Sequence, residues 1–102
     1  MRYYTMTELK ASGPLDGLDA YTDLLADALY SLHNVTDPDL GATLSTGRID
    51  VTMIVDADTL EEALHKSLTA TRTAIHVAGG ATPDWERMIR EVGTQARELT
   101  DA

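Results

Sequence analysis

The chain has 102 residues, 43% of them hydrophobic, and contains no cysteine, so one small core must be held together by packing alone. Its 17 acidic and 8 basic residues give a net charge of −9, which repels nucleic-acid phosphates and anionic membrane surfaces. No apolar run approaches the roughly 18 residues of a membrane span, and the N-terminus lacks the apolar segment of a secretion signal. We therefore expect one cytoplasmic domain over residues 1–102 that binds neither nucleic acid nor membrane.

The first strand and the first helix are predicted from side-chain patterning. Tyrosine, threonine, methionine and leucine between Tyr3 and Leu9 favour a strand. After a turn-forming stretch, apolar residues recur at helical spacing from Leu18 onward. We expect a helix there, with Asp16 as its N-cap and an end near His33.

The middle of the chain has the pattern of a β-hairpin with a two-residue turn at Thr46-Gly47. The apolar pairs that follow from this turn are Leu44–Ile49, Ala42–Val51 and Leu40–Met53. The residues left for the opposite face are Thr43, Ser45, Arg48, Asp50 and Thr52. Because opposed residues share a face, this register separates apolar from polar side chains, and a shift by one residue would mix them.

A second, longer helix is predicted after the hairpin. Asp58 as N-cap with Glu61 three positions on resembles a capping box, and Gly79-Gly80 provides the stop. The residues expected on its buried stripe are Leu60, Leu64, Leu68, Thr71, Ile75 and Ala78, flanked by Ala63, Ser67 and Ala74.

The last part of the chain carries two conflicting signals. Thr82-Pro83 is typical of a helix start, whereas the strand–helix–strand–strand–helix series requires a final strand within Arg87–Glu98, beside the first strand. We predict a short helical turn followed by a strand near Val92–Arg97. The fold class is then α+β, a ferredoxin-like βαββαβ domain with an antiparallel sheet and two helices packed on one face.

The segment DPDLGATLSTGRIDVTMIVDADTLEEALHKSLTATRTAIHVAGGATPDWE, about half of the chain, resembles a group of small proteins of actinobacterial type. The shared features are the hairpin, the Asp-rich helix start, the AGG stop and the tryptophan after it. The resemblance implies a ferredoxin-like α+β domain from a high-GC bacterium. It implies no activity and no catalytic residue.

No catalytic, cofactor or metal site is predicted. His65 and His76 lie on nearly the same helical face but about 16 Å apart along the axis, so they cannot share a metal within one protomer. Whether either has a role across an interface stays open. Asp19 and its acidic neighbours form a row on a helix, which a hard cation cannot use because its ligands must converge.

The leading hypothesis is a non-enzymatic module that acts by association, with itself or with a protein partner. The interface residues that we predict are Trp85, Ile54, Leu40 and Ala42. Tryptophan is enriched in interfaces, and Ile54 is the one large apolar residue on the hairpin's polar face. The strand Leu40–Ser45 should be a sheet edge, without proline or lysine to discourage pairing.

Two alternatives remain open. The first is a small-ligand-binding protein or cofactor-free enzyme of the dimeric α+β barrel kind, in which two sheets enclose an apolar pocket. The predicted polar open face argues against such a pocket, but the first strand is ambiguous enough to allow it. The second is an accessory protein of a mobile element that binds a basic host protein through its acidic surface.

Overall fold

Four strands and two helices make up the computed structural model, which describes residues 1–12, 17–79 and 89–99. The elements in chain order are β1 Arg2–Ala11, α1 Leu18–Tyr30, β2 Thr36–Thr43, β3 Arg48–Asp56, α2 Leu60–Gly79 and β4 Ile89–Glu98. The strands form one antiparallel sheet in the order β2-β3-β1-β4. The predicted ferredoxin-like βαββαβ architecture is therefore confirmed.

The two faces of the sheet differ in burial because side chains alternate along each strand. In β1 and β3 every second residue, including Leu9 and Val51, is buried beneath the helices. The residues in between, such as Tyr4 and Ile54, are half-buried on the other side, which we name the open face. The fully buried apolar side chains of α1 that complete the core are Leu18, Tyr21, Leu25 and Leu29.

Helix α1 begins at Leu18, where the helical pattern starts, but its N-cap and its end differ from the prediction. Its N-cap is Gly17, with φ of 85° and no side-chain hydrogen bond; Asp16 lies outside the described residues. A positive φ suits glycine, which has no Cβ. The helix ends at Tyr30, where the Ser31 backbone N–H donates to the Asp27 carbonyl, so His33 lies beyond the helix.

The hairpin register differs from the prediction by two residues. The observed pairs are Thr43–Arg48, Ala42–Ile49, Gly41–Asp50, Leu40–Val51 and Asp39–Thr52. A shift of two preserves the assignment of residues to faces, which is why the fold prediction survives the error. Leu44, predicted to pair with Ile49, instead lies in the turn with 43% of its surface exposed.

The shift arises because the turn has four residues, not two. The Thr43 carbonyl accepts hydrogen bonds from the backbone N–H groups of Thr46 and Gly47, at 3.2 and 3.0 Å. Gly47 then adopts φ of 77°, a conformation that closes a four-residue loop at little cost for glycine. Ser45 belongs to this turn and is not part of the open face.

Strand β2 is a sheet edge, as predicted, but it is protected. It begins at Thr36 and therefore includes Pro38, which the predicted strand did not. Asp37 has φ of 48°, and the pairing with β3 shifts between Thr36 and Asp39. Proline and bulges discourage pairing with another edge, so the sequence argument for edge association through this strand is weakened.

The N-terminal cap of α2 is displaced by one residue from the prediction. The Thr59 hydroxyl accepts from the Glu62 backbone N–H at 3.1 Å, and the Glu62 carboxylate accepts from the Asp58 backbone N–H at 3.2 Å. The cap is therefore Thr59 with Glu62, not Asp58 with Glu61. The helix begins at Leu60 and ends at Gly79, where the stop was predicted.

The buried stripe of α2 consists mainly of small side chains. The buried residues are Ala63, Ser67, Ala70, Thr71, Ala74, Ile75 and Ala78. Leu60, predicted to be buried, is 44% exposed, and Leu64 and Leu68 are only half-buried. Small residues allow the helix to approach the sheet closely, which leaves the leucines along its flank.

The final element is a strand, as the topology required. β4 spans Ile89–Glu98, pairs with β1, and contains a bulge at Val92, between the pairs formed by Glu8 and Leu9. The predicted helical turn after Thr82 lies outside the described residues, and so does Trp85. Neither helix in the described parts of the chain combines the length and the apolar composition needed to cross a lipid bilayer.

Candidate ligand site on the open face of the sheet

An apolar patch occupies one end of the open face. Strand pairing places Tyr4 between Ile54 of β3 and Arg97 of β4, and it places Met6 in the next row. Tyr4, Met6 and Ile54 are all half-buried although they lie on the side of the sheet away from α1 and α2. Half-buried apolar side chains on an uncovered face are typical of a surface that receives a ligand or another protein.

The other end of the open face is charged. Arg48 lies 3.5 Å from the Glu8 carboxylate and 3.1 Å from the Asp50 carboxylate, and the three side chains are partly exposed. Lys10 lies beside Arg48 in the neighbouring strand. The predicted polar open face is therefore correct for this end only, because β1 adds apolar residues at the other.

Two adjoining cavities run along the open face between β1 and β4. One has a volume of about 250 Å³ and is lined by Tyr4, Met6, Gln95, Ala96 and Arg97. The other, of about 220 Å³, is lined by Met6, Glu8, Val92, Gly93, Thr94 and Gln95. Because they share Met6 and Gln95, we treat them as one depression and name it the trough.

Gly93 and the neighbouring bulge widen the trough. A Cβ added at Gly93 would meet no atom within 4 Å, so the missing side chain leaves open space beside Glu8. Val92, the extra residue of the bulge, is 53% exposed and borders the same space. Met6 thus lies in the middle of the trough, with Glu8 toward one end and Tyr4 and Arg97 toward the other.

Arg97 lies at the apolar end of the trough, over the ring of Tyr4. The guanidinium carbon is 5.2 Å from the ring centroid, within range of a cation–π interaction. Within residues 1–12, 17–79 and 89–99, no carboxylate forms an ion pair with Arg97. Its positive charge is therefore oriented by an aromatic ring and is not neutralised by an acid.

A third cavity, of about 310 Å³, lies on the other side of β4, against α2. The residues that line it are Leu64, Leu68, Glu91, Val92, Gly93 and Thr94. At Glu91 the carboxylate accepts two hydrogen bonds from Arg72, at 2.6 and 2.9 Å, which raise the pKa of Arg72. Most of the hydrogen-bonding capacity of the Glu91 carboxylate is therefore already used within the protein.

The structure describes three of the four predicted interface residues, and these three lie on both sides of the sheet. Ile54 belongs to the apolar patch and lies next to Tyr4. Leu40 and Ala42 pair with Val51 and Ile49, on the helix-covered side, and Leu40 packs against the core. Trp85 lies outside the described residues.

The two histidines considered in the sequence analysis do not line the trough. His65 and His76 are exposed on α2, and the described residues contain no cluster of three or more potential metal ligands. The sequence analysis did not predict a site that includes the trough residues Tyr4, Met6 and Arg97. Alternation in β1 could have placed Tyr4 and Met6 on one face, but nothing local indicated that Arg97 would pair with Tyr4.

Solved structures with this fold include chains of similar length. Two are named "putative antibiotic biosynthesis monooxygenase". The one from Chloroflexus aurantiacus J-10-fl has a TM-score of 0.63 and 14% identity, and the match covers 100% of this chain and 96% of that chain. The one from Deinococcus radiodurans has a TM-score of 0.54 and 20% identity, and the match covers 98% of this chain and 94% of that chain. A protein from Mycobacterium tuberculosis has a TM-score of 0.53 and 11% identity, and the match covers 100% of this chain and 98% of that chain. At these identities the similarity shows the fold alone.

No protein-family model matches the sequence, and no curated protein matches it significantly. The class that the fold and the site define is therefore a ferredoxin-like α+β protein with a trough on its open sheet face.

Proposed function

We propose that this protein is a homodimer of the α+β barrel kind that binds a small, largely apolar organic molecule in the trough. The observation that carries the proposal is the trough itself, which lies on the face of the sheet opposite to α1 and α2. Ligand pockets are typically concave and apolar with a few polar groups, and Met6, Gln95 and Arg97 supply that combination.

The proposed dimer places the open faces of two copies toward each other, so that the second sheet closes the trough. Tyr4, Met6 and Ile54 would lose their remaining exposure, which is the hydrophobic gain that favours association. Trp85 remains a second proposed anchor. Light scattering of Trp85→Ala and Ile54→Asp across a dilution series separates the two, because each variant weakens only the dimer that its residue anchors.

Binding is better supported than catalysis by the lining of the trough. The described residues that line it include no histidine, and the one carboxylate among them, on Glu8, is engaged by Arg48 at 3.5 Å. We therefore assign no nucleophile and no general base.

A second candidate function is monooxygenation of the bound molecule, favoured by the names of two structural neighbours. One oxygen atom would enter the substrate and the other would leave as water, with the substrate itself supplying the two further electrons. Native mass spectrometry of protein taken from its own cells identifies the bound compound. Oxygen uptake in step with its consumption supports catalysis; none restricts the function to binding.

The trough is tested by filling it at Gly93. Gly93→Val adds a side chain where no atom lies within 4 Å, and Gly41→Val does the same on the opposite edge strand, outside the trough. Neither glycine has a positive φ, so both variants should fold with stability equal to or above that of the wild type. They form a matched pair.

Saturation-transfer NMR with benzyl alcohol, a neutral single-ring probe, measures the outcome. We expect transfer to the probe in the wild type and in Gly41→Val, and a severalfold loss in Gly93→Val. Equal transfer in all three proteins would place the ligand site elsewhere.

A further inference from the structure

We propose that the ligand of the trough is an organic carboxylate, held by the guanidinium group of Arg97. The inference rests on the proposed function in one respect, the placement of the ligand on the open face. It adds the chemical class of the ligand and the residue that recognises it.

The charge distribution around Arg97 is the first argument. The chain carries a net charge of −9, so its overall field repels anions, and a site for one needs a local positive charge. Two other arginines, Arg48 and Arg72, are engaged by carboxylates at 2.6 to 3.5 Å. Among the described residues, Arg97 is engaged only by the ring of Tyr4, and it therefore keeps its capacity to bind an acid.

The shape of the guanidinium group is the second argument. Its five N–H donors lie in the plane of the group, and a guanidinium carbon 5.2 Å from the Tyr4 ring centroid leaves them available to an acid. Two parallel N–H groups match the two oxygens of a carboxylate, which gives a charge-assisted, bidentate pair. The interaction with Tyr4 also reduces the rotational freedom that Arg97 would otherwise lose on binding.

The surroundings define the rest of the ligand. From Arg97 the trough continues over Met6, whose thioether makes favourable contacts with aromatic rings, toward the open space at Gly93. Gln95 offers an amide that both donates and accepts. The part of the trough beside Arg97 has a volume of about 250 Å³, below the roughly 300–1,000 Å³ of sites for drug-sized ligands, which favours a small acid with a single ring.

The test compares benzoate with benzamide, which has the same shape and no charge. Isothermal titration at neutral pH should show benzoate binding the wild type about tenfold or more tightly than benzamide. Arg97→Gln should abolish that preference while leaving the weak binding of benzamide. Arg90→Gln is the matched control, since it removes an exposed arginine from the same strand without touching the trough, and it should keep the preference.

Three outcomes would overturn the inference. Benzoate and benzamide binding equally to the wild type would exclude recognition of the carboxylate, although loss of both in Gly93→Val would leave the trough as the ligand site. A preference for benzoate that survives Arg97→Gln would assign the anion to another residue. Insensitivity of both probes to Gly93→Val and Arg97→Gln would exclude the trough, and the proposed function would fail with the inference.

Discussion

The hydroxyl group of Thr5 in β1 donates a hydrogen bond of 2.8 Å to the hydroxyl group of Ser67 in α2, and neither side chain has any exposed surface. This contact joins the sheet to a helix whose buried stripe is otherwise mainly alanine. Alanine side chains allow the helix to approach the sheet closely, but their packing does not favour one position of the helix over another. The hydrogen bond therefore helps to set the position of α2 along β1.

Removing one partner of this hydrogen bond should cost more than removing both. Thr5→Val leaves the Ser67 hydroxyl buried without this partner, which we expect to lower the free energy of unfolding by about 1–3 kcal/mol. Adding Ser67→Ala should recover most of that loss, because this pair then leaves no buried hydroxyl without its partner. Urea denaturation of the two single variants and the double variant measures the coupling. Simple additivity would contradict the structural role of the pair.

The hydroxyl group of Thr71 has no hydrogen-bond partner among the described residues, although the side chain is fully buried. Thr71→Val replaces this group with a methyl group of similar size, so we expect it to raise the free energy of unfolding by roughly 1 kcal/mol. Thr73→Val on the exposed side of the same helix is the control and should change stability little. A loss of stability in Thr71→Val would mean that the hydroxyl is satisfied.

The four-residue turn of the hairpin depends on the positive φ of Gly47. Alanine at this position would carry a Cβ into the left-handed region, which costs about 1–2 kcal/mol. Gly47→Ala should therefore lower the thermal midpoint, whereas Gly41→Ala, at an ordinary φ and with free space around it, should not. Equal effects of the two substitutions would contradict the observed turn.

Tyr3 should make the protein sensitive to alkaline pH. Its side chain is 4% exposed, and burial, followed by repulsion from Glu98 and Glu61, raises the pKa of its hydroxyl above the ordinary value of 10.0. Below pH 10 both the folded and unfolded chains keep this proton. Above it the unfolded chain loses the proton first, so stability falls as the pH rises through the folded-state pKa.

The Tyr3→Phe variant isolates this contribution. Its free energy of unfolding, measured by denaturant titration between neutral pH and pH values above 10, should decline less steeply than that of the wild type. Tyr30→Phe changes an exposed tyrosine of α1 and should follow the wild-type curve. Parallel curves for Tyr3→Phe and wild type would exclude Tyr3 as the source of the alkaline instability.

Self-association should depend on the apolar patch of the open face. Ile54→Asp places a charge beside Tyr4, where the proposed dimer excludes water, so we expect the protein to become monomeric. Leu44→Asp makes the same change in the exposed turn of the hairpin and should leave association unchanged. Sedimentation velocity across a concentration series measures both. A wild-type protein that is monomeric at all concentrations would rule out the dimer itself.

Local pattern was sufficient for the faces of the hairpin but not for its pairing. The alternation of Ile49, Val51 and Met53 predicts which side is buried, and all three are fully buried. The register depends on turn length, which follows from backbone dihedrals at Gly47 that composition does not specify. A four-residue and a two-residue turn preserve the same alternation, so the pattern alone cannot distinguish them.

The order of elements, the two helices and the need for a final strand follow from the sequence by itself, because periodicity, glycine stops and the rules of chain connection are local or topological. Which residues of α2 face the sheet was decided by tertiary packing, since alanines permit a closer approach than leucines do. The trough also belongs to the tertiary structure, because Tyr4 and Arg97 come from opposite ends of the chain and meet only when β4 pairs with β1.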